Sequence, residues 1–200
     1  VSPYNAVSGH AVYQLCKIWY AEAAKYNSTL TSYIMGYGTT VKAFDSCYRL
    51  YYDKTLRLLS RFENKLDSFS YIKTDLMNMK ASILKPGLIV MTQNVQIPDS
   101  AFPAMLQFRN IIHVYIRIIR INPWEDISQN KSMNISRFIK MPAIVEKDEP
   151  LILPGDHQWH NAVVKLDPLS VGRYIILYSD TTISNATGRV NFINLSVTNL

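Results

Sequence analysis

Two histidines three residues apart, His157-Gln-Trp-His160, are the one pairing in this 200-residue sequence that invites a metal reading. Two imidazoles chelate one ion only when both rings reach the same side of the backbone. The alternation around them predicts a strand over residues 157–166, and on a strand positions three apart point to opposite faces. The pair therefore reads as surface histidines flanking a core or interface Trp159, and no carboxylate or cysteine arrangement in the sequence completes a site. No Ser/His/Asp set has recognisable local context for nucleophilic catalysis. No phosphate-cradling loop is visible either, in a chain with only 7 glycines. The acid cluster Glu146-Lys-Asp148-Glu149 lies beside Pro150 and reads as a solvated turn. Cys16 and Cys47 each sit in an apolar helical stripe and fit neither a disulfide framework nor a zinc site, so buried thiols are expected. A bridge between them stays open. Four Asn-x-Ser/Thr sites, at Asn27, Asn134, Asn185 and Asn194, matter only in a eukaryotic secretory pathway. The chain is thus expected to hold no catalytic residue, no metal and no cofactor.

Composition supports a packed protein: 48% hydrophobic and 18% charged residues are enough apolar material for a core. The formal charge is +6, and the excess sits on the first half, where residues 1–85 hold 11 Lys and Arg against 6 Asp and Glu. Those cations are spaced singly (Lys17, Lys25, Lys42, Arg49, Lys54, Arg57, Arg61), as on solvated helix faces, and not clustered with aromatics as nucleic-acid binding requires. No apolar run is long enough to span a bilayer and no signal peptide is present, so no nucleic acid and no direct membrane insertion are expected. The chain opens with Val1, not Met, which points to a piece of a longer polypeptide.

The elements that would position these residues change character at Pro86-Gly87. Before it, Val12, Leu15, Cys16, Trp19, Ala23 and Tyr26 mark one face of a first helix over residues 8–26. A second helix begins near Thr39 and carries Val41, Phe44, Tyr48, Tyr51, Leu58, Leu59 and Phe62. A third carries Phe69, Ile72, Leu76, Met79 and Ile83 and stops at Pro86-Gly87. The first two start about 31 residues apart, near the period of tetratricopeptide-like helical hairpins. Most of the 13 tyrosines fall in this half, and Tyr keeps one wet end, which suits helices packed on a partly dry neighbour.

After Gly87 the period becomes two. Runs at residues 88–97, 102–108, 113–121, 142–153, 157–166, 173–179 and 189–197 predict seven short strands, and Arg109-Asn110 a tight turn. Seven such strands over some 110 residues argue for an antiparallel β-sandwich. Residues 122–140 are a polar excursion with a short helical turn, anchored by Trp124 and Phe138. The most specific local signal is Leu169-Ser-Val-Gly172-Arg-Tyr174, the layout of a tyrosine corner. There the Tyr174 hydroxyl bonds back to the backbone, with Gly172 where the turn needs a residue lacking Cβ. Leu169, Gly172 and Tyr174 are therefore assigned structural roles.

The run Leu88-Ile-Val-Met-Thr-Gln-Asn-Val-Gln-Ile-Pro-Asp-Ser-Ala-Phe-Pro-Ala-Met-Leu-Gln-Phe-Arg-Asn110, continuing through Val114-Tyr-Ile-Arg-Ile-Ile119, resembles the first macroglobulin-like domain of the alpha-2-macroglobulin family proteins of Bacteroides-type bacteria. Asp156-His-Gln-Trp-His160, Leu169-x-x-Gly172-x-Tyr174-Ile-Ile-Leu and the closing Val197-Thr-Asn-Leu200 are similar to the same domain. The helices resemble the end of that family's helical region. The resemblance implies an α+β chain: a helical, tetratricopeptide-like segment at residues 1–86, then a seven-stranded antiparallel macroglobulin/immunoglobulin-like β-sandwich at 87–200. It implies a non-catalytic scaffold in a protease-trapping lipoprotein of the periplasm or cell surface, associated with the outer membrane. The expected partners are other domains of the same polypeptide, with proteases or an envelope protein outside it. The family's Cys-x-Glu-Gln thioester is matched by neither Cys16-Lys-Ile-Trp nor Cys47-Tyr-Arg-Leu. The rival expectation is a binding module whose helices capture a peptide or partner domain, with the sandwich as spacer.

Overall fold

The computed structural model describes residues 6–26, 46–124, 131–183 and 190–199. It is α+β, and the chain divides into two compact units. One comprises residues 1–86 together with 154–160, and the other 87–153 and 161–200. The short segment 154–160, which separates two strands in the sequence, thus belongs to the helical unit.

In the helical unit, α1 (Ala6–Ala23) is followed by a 3-10 turn (Ser46–Leu50), α2 (Tyr51–Phe62), a second 3-10 stretch (Glu63–Phe69) and α3 (Ser70–Leu84). The expected stretch near Thr39, with Val41 and Phe44, lies outside the described residues. Cys16, Leu59, Leu66, Ile72 and Leu76 form one apolar cluster, and Ala23, Tyr52 and Ile83 form a second. Several positions depart from the predicted faces. Leu15 is exposed on α1, and α2 buries the expected Leu59 together with Tyr52 and Thr55, while Tyr51 and Leu58 are half-buried. Thr55 is tolerated inside because its hydroxyl donates to the Tyr51 carbonyl one turn back at 2.8 Å. Tyrosines tie α1 to α3 by their wet ends: Tyr13 donates to Asp75 at 2.9 Å, and the Tyr20 hydroxyl lies 2.9 Å from that of Ser82.

The second unit holds eight described strands, not seven: β1 (Gly87–Met91), β2 (Val95–Gln96), β3 (Phe102–Arg109), β4 (His113–Ile121), β5 (Val145–Pro150), β6 (His160–Leu166), β7 (Gly172–Ser179) and β8 (Asn191–Val197). The extra strand arises because the run 88–97 is broken at Gln93-Asn94. Its first half joins a three-stranded sheet, β1-β3-β6, and its second a five-stranded sheet, β2-β8-β7-β4-β5. β2 runs parallel to β8, so the five-stranded sheet is mixed and not wholly antiparallel. Period-two side chains of both sheets meet in one core, with Val90, Phe102, Leu106, Phe108 and Leu166 facing Val114, Ile116, Ile118, Tyr174, Ile176 and Leu195.

The five-stranded sheet also has a covered outer face. There α4 (Lys131–Ile139) lays a fully buried Phe138 among Ile119, Ile121, Ile175, Leu177, Ile183 and Val190. Burial on both faces explains the unbroken apolar run of β7. Of the two predicted anchors only Phe138 is one, since Trp124 is 93% exposed. The acidic run is not a solvated turn but lies in the strand expected over 142–153: residues 145–150 form β5, paired antiparallel with β4. Cross-strand polar contacts accompany it: Arg117 pairs with Glu146 at 2.9 Å, and His113 Nδ1 lies 2.7 Å from Asp148 Oδ1.

Candidate functional site

The densest polar cluster described in the chain lies in the helical unit, around Asp156. Residues 154–160 are not strand, because Gly155 (φ 75°) and His157 (φ 59°) both turn left-handed. The predicted strand over 157–166 therefore begins only at His160. Opposed strand faces thus say nothing about the two histidines. Asp156 is 1% exposed, and both its oxygens are occupied. Arg49 Nε donates to Oδ2 at 2.5 Å, while His160 Nε2 and the Gln158 amide reach Oδ1 at 2.7 and 3.1 Å. The buried Gln158 side chain donates to the carbonyl of Ala23, the last residue of α1, at 3.0 Å, on an oxygen that also accepts the Tyr26 N–H at 3.1 Å.

Burial alone would push the Asp156 carboxyl up. Hydrogen bonds from Arg49, His160 and the Gln158 amide outweigh it and hold the group below its ordinary value. An ionised carboxylate only accepts, so His160 carries its proton on Nε2. Asp156 in turn pushes the Arg49 guanidinium further up, against opposing burial. A carboxylate beside an imidazole is the geometry of an oriented general base. Here, however, the same carboxylate also neutralises an arginine and closes its own turn, an arrangement that fixes groups in place.

In the sandwich unit, the Tyr174 hydroxyl donates to the Ser170 carbonyl four residues upstream at 2.7 Å, with Ser170 Oγ at 3.1 Å. Leu169 is buried in the sandwich core, and its carbonyl accepts from Asp99 N at 2.9 Å. Gly172 is needed for space and not for a left-handed backbone. A Cβ there would lie 3.2 Å from Arg120 Nε and 3.3 Å from both Cε2 and the hydroxyl of Tyr174. A cavity of about 350 Å³ opens beside β5, lined by Tyr115, Arg117, Glu146, Asp148, Thr182 and Ile183 among others. Arg117 is committed there to the Ile139 and Met141 carbonyls at the end of α4, at 2.7 and 3.1 Å.

Cys16 is buried with a free thiol, and burial pushes its pKa up to about 11, far from a nucleophile's range. The Cys47 side chain, Asn27 and Asn185 lie outside the described residues; Asn134 falls in α4, and Asn194 is exposed on β8. Among the described residues no group of three metal-ligating side chains converges, and no helix is long and apolar enough to cross a membrane. Sequence reasoning missed the Arg49–Asp156–Gln158 grouping because Arg49 lies 107 positions from Asp156. The local signal was Pro154-Gly-Asp, a turn signature that argued against continuing the strand.

No family model matches the chain, and no curated protein matches it. Among solved structures, the CARDB domain of a Pyrococcus furiosus protein in complex with di-metal ions is similar at a TM-score of 0.32 and 10% identity, over 56% of this chain and 92% of that one. A superoxide reductase variant from Ignicoccus hospitalis gives 0.32 and 9%, over 59% and 86%. The sulfur carrier protein SoxY from Chlorobium limicola gives 0.26 and 10%, over 62% and 97%. Likenesses this slight carry nothing over to the chain.

Proposed function

We propose that the chain is a non-catalytic scaffold fragment of an alpha-2-macroglobulin-like envelope protein, whose full form traps or inhibits proteases at the periplasmic or cell-surface side of the outer membrane. In this reading residues 87–200 are a macroglobulin-type sandwich and the helices are the end of a tetratricopeptide-like region. The observation that carries the scaffold part is the use made of Asp156. Among the described residues a buried carboxylate beside a histidine is the pairing with the outline of catalytic machinery, and its oxygens hold Arg49, His160 and the Gln158 backbone amide. Strands at Gly87–Met91, Phe102–Arg109 and His113–Ile121, and the Tyr174 hydroxyl bond, agree with the segments that carry the resemblance.

The alternative is a binding module whose helices capture a partner, and α3 favours it through Tyr71, Met77 and Leu84, exposed by 59, 40 and 43%. Titrating the 200-residue chain against serine, cysteine and metalloproteases tests the scaffold reading. Protease activity unchanged at tenfold excess is the expected result, because a trap needs a scissile segment and a capturing group. Stoichiometric inhibition by this chain alone would move the working site into it.

A further inference from the structure

We infer that Arg49 and the carbonyl end of α1 form a peptide-recognition site for a Gly-Asp-X-Gln turn, which residues 154–160 occupy in cis and from which a second such peptide displaces them.

Asp156 and Gln158 are 1% and 3% exposed, while Pro154, Gly155 and Trp159 are exposed. A strap held as ordinary core inserts its apolar residues; this one inserts its two polar ones, and each meets a specific partner. Asp156 takes the Arg49 guanidinium, and the Gln158 amide donates to Ala23 O. The turn between them is closed by the Gln158 backbone N–H, which donates to Asp156 Oδ1 at 3.1 Å, so the ligand folds on itself as it binds.

The same geometry defines the partner. Its first residue must accept φ near 75°, which selects glycine. Its second must be a carboxylate short enough to reach both Arg49 and its own backbone, which selects aspartate. Its third sits at φ 59°, so glycine, asparagine or histidine fits and a β-branched residue does not. Its fourth must donate an amide to a helix-terminal carbonyl, which selects glutamine. Displacement is open because the strap's fully buried side chains are polar, Trp159 keeps 36% of its surface in solvent, and their charged partner, Arg49, has a side chain 42% exposed.

The test uses the whole chain and a fluorescent peptide spanning residues 152–161. Anisotropy should show the peptide binding at least about tenfold more tightly to the Asp156→Ala/Gln158→Ala chain, whose own strap is released, than to wild type. Adding Arg49→Ala, or replacing the peptide's aspartate by asparagine, should cost about tenfold or more. Valine at the peptide's histidine corresponding to His157 should abolish binding, whereas asparagine should preserve it. Equal binding to wild type and released chain, or indifference to Arg49, overturns the proposal.

If the released chain does not fold, wild type alone decides. Excess tryptophan-free peptide should red-shift emission from Trp159, in a signal that Trp159→Phe removes. An emission spectrum unmoved by saturating peptide overturns the site.

Discussion

Replacing Tyr174 by Phe removes one oxygen and leaves the ring where it is, in a site 1% exposed. The loss comprises a 2.7 Å bond to the Ser170 carbonyl and a 3.1 Å approach to Ser170 Oγ. Because the bond is only partly buried, water can reach the orphaned carbonyl, which puts the cost near the lower end for a lost buried hydrogen bond, about 1–2 kcal/mol. Gly172→Ala presses on the same spot from the other side. Its Cβ would stand 3.3 Å from the Tyr174 hydroxyl and 3.2 Å from Arg120 Nε. Arg120 itself donates to the Val171 carbonyl at 3.0 Å, so neither neighbour yields freely, and overpacking should cost about 1–3 kcal/mol. Combined, the two changes should cost less than their sum by about 0.5–1 kcal/mol, since removing the hydroxyl removes one of the clashes. Urea unfolding followed by circular dichroism reads all three, with an unchanged m-value reporting a retained fold. A Tyr174→Phe chain as stable as its parent would refute the corner as a stabilising contact. Strict additivity would show that Gly172 is present for some reason other than making room for that hydroxyl.

Further outcomes follow from other packed or charged groups. Phe138→Ala should cost about 3–5 kcal/mol by opening a cavity beneath α4, read by urea unfolding; a loss below 1 kcal/mol would mean the helix collapses into the space. Asp156→Asn should destabilise the helical unit at neutral pH. Because the Asp156 pKa is lowered on folding, its contribution is present above the unfolded value of about 3.9 and is lost as pH falls through the folded pKa. The gap between wild type and variant should therefore close in acid, and melts showing a gap that widens below pH 4 would contradict the assignment. Residues 87–200 expressed alone should melt cooperatively as a β protein, since the sandwich core is built from that stretch; a non-cooperative melt would show otherwise.

Much of the fold is visible in side-chain periodicity, and the misses have physical causes. Ile72, Leu76 and Ile83 are buried as their spacing implies because α3 packs one stripe. The run 88–97 looked like one strand because pattern reading sees alternation and not the change of sheet at Gln93-Asn94. Glu146-Lys-Asp148-Glu149 looked like a turn because charge suggests solvent, whereas an edge strand tolerates charge and finds cross-strand partners in Arg117 and His113. Trp124 was expected inside on size alone. The Asp156 centre was the least legible part. The expected strand was begun three residues too early, at His157 in place of His160, and an ion pair spanning 107 positions leaves no periodic trace.

The central claim is that the polar groups around Asp156 hold structure and perform no chemistry. It is tested most directly by assaying the chain for hydrolysis of activated esters and peptides, in wild type and in His160→Ala. The scaffold account predicts no turnover above buffer in either. Turnover by wild type that His160→Ala abolishes would contradict it and make the Asp156–His160 pair a working general base.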